Sequence, residues 1–285
     1  MNHMVNNKHI PHFDYGGDFA PLHFLHANGY PPECYKPLLE LLKTQYHVFG
    51  MLLRPLWPET KIEDVSDWHP FSDDLLRFLS DRGAGPAIGV GHSVGGTVTL
   101  RAALRDPKKF SAIILLDPVL FVPSFLAMWS FVRAIGLGRR IHPMIPGAMK
   151  RRRTFDNLDM VFRSYRTRAV FKYMSDGSLR AYIEGITKQK TDGSYELVFS
   201  PEWESHIYLT GMRDFDLWRD LPKLEVPTLI IRGAETDMFL EKAAMLVKQK
   251  QPKVKIETLE ESTHILPLER PQEVFNIIRS FLLPL

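Results

Sequence analysis

Cysteine is almost absent from this 285-residue chain: Cys34 stands alone, so no internal disulfide can form, and a single thiol in a chain of this size fits a reducing compartment. Its expected role is that of a small buried apolar residue. No apolar run reaches the length needed to span a bilayer, and the stretch over residues 1–9 has no signal-peptide core. The reading is therefore a soluble, cytoplasmic protein. Charge of one sign is also missing. With 36 Lys and Arg against 33 Asp and Glu, the formal net charge of +3 gives no electrostatic reason to expect a nucleic-acid partner. Repeats, low-complexity tracts, a glycine-rich phosphate loop and Cys/His clusters at metal spacing are lacking too, so neither a metal nor an organic cofactor is expected.

What the chain does have is an apolar fraction of 45%, enough for a sizeable core, and a regular alternation of short apolar runs with amphipathic ones. Strands are expected over residues 22–26, 46–53, 86–90 and 111–116, with helices over 31–44, 64–81 and 95–105. The rhythm resumes with strands at 227–232 and 254–259 and helices at 239–250 and 271–282. Strands alternating with helices predict a mainly parallel sheet covered on both faces. Between residues 119 and 225 the composition turns aromatic, methionine-rich and basic, with helical patterns at 159–170 and 178–185. This stretch reads as a helical cap, or lid, inserted into a core made of residues 1–118 and 226–285.

The chemistry is carried by Gly91-His92-Ser93-Val94-Gly95, set between an apolar strand and a helix. It reads as a nucleophile elbow, in which a serine on a strained strand-to-helix turn is held clear of the sheet while flanking glycines let backbone pass close by. A serine hydroxyl needs a base, and the base needs an anionic partner. In the order expected for such a turn, Asp237 follows the strand at 227–232, and His264 follows the strand at 254–259. His92 is a rival histidine, but it neighbours Ser93 on a strand and should face away, as a packed residue.

With these residues in place, the chain resembles the α/β-hydrolase superfamily with an inserted cap, over residues 22–285. The resemblance implies a Ser93, Asp237, His264 triad and an oxyanion hole built from the N–H of Val94 and an N–H in His26-Ala27-Asn28-Gly29-Tyr30. There Asn28 is the best match and Ala27 the neighbouring possibility. The acid stays open: Asp237 leads by its match to the commoner family pattern, Glu235 lies two residues away, and Asp117 in Leu115-Leu116-Asp117-Pro118 occupies a strand end where some relatives place theirs, or caps a turn. Where many relatives carry a glycine-rich loop, this chain has Leu52-Leu53-Arg54-Pro55-Leu56-Trp57, and Trp57 is available to fill part of the pocket floor.

The implied activity is that of a serine carboxylesterase on small to medium apolar acyl esters. Lactone or C–C bond hydrolysis, cofactor-free perhydrolysis, and a binding member of the fold with little turnover are the alternatives. A serine elbow argues against the dehalogenase and epoxide-hydrolase branches, which carry aspartate there. The apolar run over residues 119–132 is assigned to the acyl pocket and underside of the cap in preference to an interfacial helix at a membrane surface. Phe121, Phe125, Trp129, Phe162 and Tyr165 are pocket-lining candidates that could equally be cap core. Lys150-Arg151-Arg152-Arg153 reads as a solvated helix face. The expected partner is a small-molecule ester.

Overall fold

In the computed structural model, which describes residues 9–83 and 85–284, a seven-stranded sheet runs through the molecule. The N-terminal reading over residues 1–8 lies outside these residues. In chain order the first elements are β1 (His12–Gly16), β2 (Pro21–Leu25), α1 (Lys36–Lys43), β3 (His47–Met51), α2 (His69–Arg82), β4 (Ala87–His92), α3 (Val94–Arg105) and β5 (Phe110–Leu116). After an intervening stretch the sheet is completed by β9 (Thr228–Gly233), α11 (Glu241–Lys250), β10 (Lys255–Leu259), α12 (Leu266–Glu269) and α13 (Pro271–Leu282). Strand order is β1-β3-β2-β4-β5-β9-β10. Every pairing is parallel except that of β1 with β3.

Alternation on the strands sorts the core into two layers. On β5, Ile113 and Leu115 join a cluster with Phe71, Leu75 and Val98 of α2 and α3, while Ala112, Ile114 and Leu116 join another with Leu38, Leu42, Val274 and Ile278 of α1 and α13. Both faces are thus covered, as a period of two on a doubly wound sheet requires. Helix α2 begins later than the pattern suggested. Residues 62–64 form a separate 3-10 turn in which Asp64 caps Lys61, and Pro70 then opens the helix. It ends on Gly83 at φ 65°, a left-handed C-terminal stop.

Between β5 and β9 the chain leaves the sheet for α4 (Pro123–Ala134), α5 (Gly138–Ile141), α6 (Met144–Met149), β6 (Thr154–Phe155), α7 (Leu158–Arg166), α8 (Asp176–Ile186), β7 (Thr187–Gln189), β8 (Tyr195–Leu197), α9 (Pro201–Thr210) and α10 (Phe215–Asp220). The stretch expected to be helical is mainly so. It also contains a small antiparallel sheet in the order β6-β8-β7, with strands of two or three residues, too short to leave an alternating pattern. Helix α8 lies hard against the loop after β2. A side chain at Gly185 would meet Cys34 N at 2.4 Å, so backbone touches backbone there.

Helix α4 buries Leu126 and Trp129 but leaves Met128, Phe131 and the following Ile135 about half or more exposed. Among the described residues no helix is long and apolar enough to cross a membrane.

The far end of the insertion is fastened through a buried ion pair. Arg101 on α3, 1% exposed, donates through Nε to Asp216 Oδ2 at 2.8 Å and through a terminal nitrogen to Asp214 Oδ1 at 2.5 Å. Burial pushes the Asp214 carboxyl up, with the Arg101 charge opposing that shift. Removing one partner of such a group strands the other charges. Arg101→Ala is expected to cost about 3–5 kcal/mol in denaturant unfolding; a loss below about 1 kcal/mol would mean that the pair acts as a surface bridge.

Candidate active site

Strand β4 ends at His92 and α3 begins at Val94, leaving Ser93 alone at the corner with φ 56° and ψ −123°. A non-glycine residue at positive φ is strained and persists only where its surroundings fix it. The glycines on either side supply that clearance. A Cβ on Gly91 would lie 2.4 Å from Gly95 O, and one on Gly95 would lie 2.3 Å from Leu25 O. Ser93 N–H donates to Leu116 O at 3.0 Å, and Ser93 O accepts from Val119 N–H at 3.4 Å, so the turn is tied to the end of the neighbouring strand.

Ser93 Oγ lies 2.9 Å from His264 Nε2, and His264 Nδ1 lies 2.9 Å from Asp117 Oδ1. The expectation that Asp237 would partner His264 is corrected. Asp237 is exposed in the turn after β9, and the carboxylate against the imidazole belongs to Asp117. The reason is register. Asp117 directly follows the last residue of β5, its N–H continues the ladder to Ile231 O at 2.7 Å, and its φ of 42° turns it out of the strand. Its fully buried carboxylate also accepts Gly233 N–H at 2.8 Å and Thr236 Oγ1–H at 2.6 Å. The β9 loop thus contributes Gly233 and Thr236 to the acid rather than the acid itself. Glu235 is turned outward to Lys172 and Tyr173.

His92 is a packed residue, as expected from alternation, yet it is wired to both sides of the site. Its Nε2 lies 2.8 Å from His264 O, an acceptor only, so Nε2 carries the proton. Nδ1 then accepts from Tyr35 Oη–H at 2.7 Å, and Tyr35 Oη accepts Ala27 N–H at 3.1 Å. Burial drives the His92 pKa well below the usual histidine range, which keeps this tautomer uncharged. The same burial drives Tyr35 well above the usual tyrosine value.

A cavity of about 150 Å³ opens on Ser93, Val94, Asn28 and His264. Of the lining candidates, Phe121, Phe125 and Trp129 are in its wall, whereas Phe162 packs under the Arg180 guanidinium and Tyr165 stacks on Phe171. Trp57 is not at this floor. Its indole N–H donates to Leu52 O on another face, and Trp68, whose N–H reaches Ile207 O, holds the wall instead. Sequence reasoning passed over Trp68, His142, Tyr208 and Met212. His142 lies between the Trp129 and Tyr208 rings, and only a fold can bring these three together.

The loop that carries Asn28 is braced from the insertion. Asn28 Nδ2–H donates to Glu204 O at 3.0 Å, and Gly29, at φ 76°, lies against the Glu204 carboxylate. That carboxylate accepts from Arg151 at 2.5 Å. The basic run is therefore not a uniformly solvated helix face: Arg151 is drawn in to Glu204, and Arg153 pairs with Glu202. Cys34 is buried as a small apolar residue, its thiol 3.7 Å from Tyr182 O.

A strand, a strained serine corner and a histidine at the end of the sheet define a hydrolase of the α/β type. The model of the alpha/beta hydrolase family matches residues 24–277, and the chain belongs to that family. Among curated proteins it is 30% identical over 111 residues to the type I acyl-CoA thioesterase mpaH' of Penicillium brevicompactum, a match covering 33% of this chain and 25% of that one. It is 28% identical over 103 residues to the pimeloyl-[acyl-carrier protein] methyl ester esterase of Legionella pneumophila (strain Corby), covering 36% and 40% respectively. The matched stretch thus spans well under two thirds of either relative. Among solved structures, E-2-(acetamidomethylene)succinate hydrolase superposes with a TM-score of 0.76 over 95% of this chain and 94% of its own, at 17% identity, and so shares the fold.

Proposed function

We propose that this protein is a capped serine hydrolase that transfers an acyl group to water through Ser93, His264 and Asp117. The observation that carries the reading is the continuous chain of contacts from Ser93 Oγ through His264 to Asp117 Oδ1, at 2.9 Å for each link. His264 Nδ1–H donates to the buried carboxylate, which leaves Nε2 free to take the serine proton. Ser93 Oγ attacks the substrate carbonyl carbon, and its proton passes to Nε2. The tetrahedral intermediate collapses as the bond to the leaving oxygen or sulfur breaks, and Nε2–H protonates that atom. Water then attacks the acyl-enzyme, giving its proton to Nε2, and the acid departs as Ser93 is restored.

The N–H of Val94, at the first turn of α3, and that of Asn28 are the proposed donors to the oxyanion. Asn28 is favoured over Ala27 because the Ala27 N–H is already engaged by Tyr35. The insertion over residues 119–225 acts as the cap, since its Phe121, Phe125, Trp129 and Met144 share the Ser93 cavity with core residues. The small apolar wall suits a short acyl chain. An ester or thioester is the preferred substrate, with the named thioesterase and methyl ester esterase relatives supporting that choice.

A fluorophosphonate probe tests the reading. Labelling is expected at Ser93 in the folded protein and is expected to vanish in His264→Ala; an unlabelled Ser93 would favour a binding member of the fold. The chain from Ala27 through Tyr35 and His92 to His264 makes Tyr35 a positioning residue. Tyr35→Phe is expected to lower kcat by on the order of tenfold with KM little changed. Equal kcat for the two proteins would leave Tyr35 a purely structural role.

A further inference from the structure

Beside the Ser93 cavity lies a much larger one, of about 710 Å³, between α6, α7 and the loop over residues 150–153. The two share a wall: Tyr30, Pro143, Met144 and Tyr208 line both. The two spaces are thus adjacent, and a substrate whose carbonyl sits at Ser93 and whose leaving group reached past these four residues would place that group in the larger space.

That space is cationic where the Ser93 cavity is apolar. Between Arg133 and Lys172 the chain carries eleven Lys and Arg and only two Asp, against an almost balanced whole. Lys150, Arg151, Arg152 and Arg168 line the cleft. Arg151 is neutralised by Glu204, and Arg152 lies 3.2 Å from Asp156. Lys150 and Arg168 are exposed and have no carboxylate partner among the described residues; Arg168 lies over the Tyr165 ring at 4.1 Å from its centroid. A cleft of a few hundred Å³ or more is of ligand size, and unpaired cations in a partly enclosed cleft favour phosphate.

We propose that the cleft binds the phosphate of the substrate's leaving group, so that the preferred substrates are acyl esters or thioesters of a phosphate-bearing alcohol or thiol. The inference rests on the acyl-transfer reading for its catalytic consequence, but not for its binding consequence. Acyl chemistry would be carried out at Ser93, and recognition would come from Lys150 and Arg168 on the far side of the shared wall.

The test compares one short acyl group on coenzyme A, on phosphopantetheine and on N-acetylcysteamine, which lacks phosphate. Values of kcat/KM at least tenfold higher for coenzyme A or phosphopantetheine are expected, with the advantage shrinking as salt rises. If phosphopantetheine equals coenzyme A, the phosphate nearest the thiol is the one read; if only coenzyme A is favoured, its nucleotide phosphates are. The double substitution Lys150→Glu with Arg168→Glu is expected to abolish the advantage while leaving N-acetylcysteamine turnover and thermal unfolding unchanged. Calorimetric titration of coenzyme A into Ser93→Ala protein reads binding without turnover, and that binding should weaken at least tenfold when the two charge reversals are added. Equal rates on the three thiols together with no titratable binding would overturn the proposal. Binding that is present without hydrolysis of any substrate would instead overturn the Ser93 reading and leave the phosphate cleft standing.

Discussion

Asp117→Asn is expected to lower kcat/KM by about 10³- to 10⁴-fold, whereas Asp237→Asn should stay within about twofold of the unaltered protein. The asymmetry follows from what each carboxylate touches. Asp117 is fully buried and accepts from Gly233 N–H, Thr236 Oγ1–H and His264 Nδ1. An asparagine keeps the shape of the group but removes the charge that would stabilise an imidazolium. Its amide can also present N–H to Nδ1, which then accepts and places the ring proton on Nε2, where it blocks proton transfer from Ser93. Asp237 is exposed in its turn, so changing it alters a solvated group. Hydrolysis of a p-nitrophenyl ester by the two variants, with thermal unfolding as the control for folding, decides the matter; a large loss confined to Asp237→Asn would return the acid to the β9 loop.

The second large effect is on stability in acid. His23, His26 and His92 are all fully buried. Burial pushes His23 down to about 3, pushes His26 down to about 4 against the pull of its backbone hydrogen bonds, and pushes His92 well below the ordinary value. Each is uncharged in the folded protein and titrates near 6.5 once unfolded. The unfolded chain therefore binds more protons as pH falls below about 6.5, and the folded state loses ground from there down toward the folded pKa values. At pH 5 the loss is about 2 kcal/mol for each histidine and about 6 kcal/mol for the three. That is a large part of the 5–15 kcal/mol typical of a domain, about half of it or more for many proteins. Urea unfolding at pH 7, 6 and 5 should show stability that is full above pH 6.5 and falls steeply below; a flat profile across this range would mean that the buried rings are charged when folded.

Much of this molecule is legible in its sequence. Ser93 is legible because glycines two residues to either side, an apolar strand before and a helix after are all local. His264 is legible because it stands in a short polar loop between the last strand and the closing helix. Asp117 and Asp237 cannot be separated in that way, since each follows an apolar strand, and the distinction depends on which loop the neighbouring strand pushes toward His264. Asp117 abuts its strand directly and Asp237 lies four residues past Gly233 in a polar turn, but that difference alone does not say which carboxylate meets His264. Strand β1 and the small sheet of the insertion are illegible for another reason. They are short, and they depend on partners far away in the chain, Gly50 for Phe13 and Tyr195 for Phe155. The pocket wall likewise joins Trp68, Trp129, His142 and Tyr208 from four separate segments.

The backbone contact between Gly185 of α8 and Cys34 sets how closely the insertion sits on the core. Because no side chain separates the two segments, any residue larger than glycine at 185 must push main chain away from main chain, and the seating of α8 on the core depends on that one missing Cβ. The half of the insertion that carries α4 to α6 brings Phe125, Trp129 and Met144 to the Ser93 cavity, and its α6 forms part of the cationic cleft beside it, so a shift of the insertion at Gly185 would be felt at both spaces.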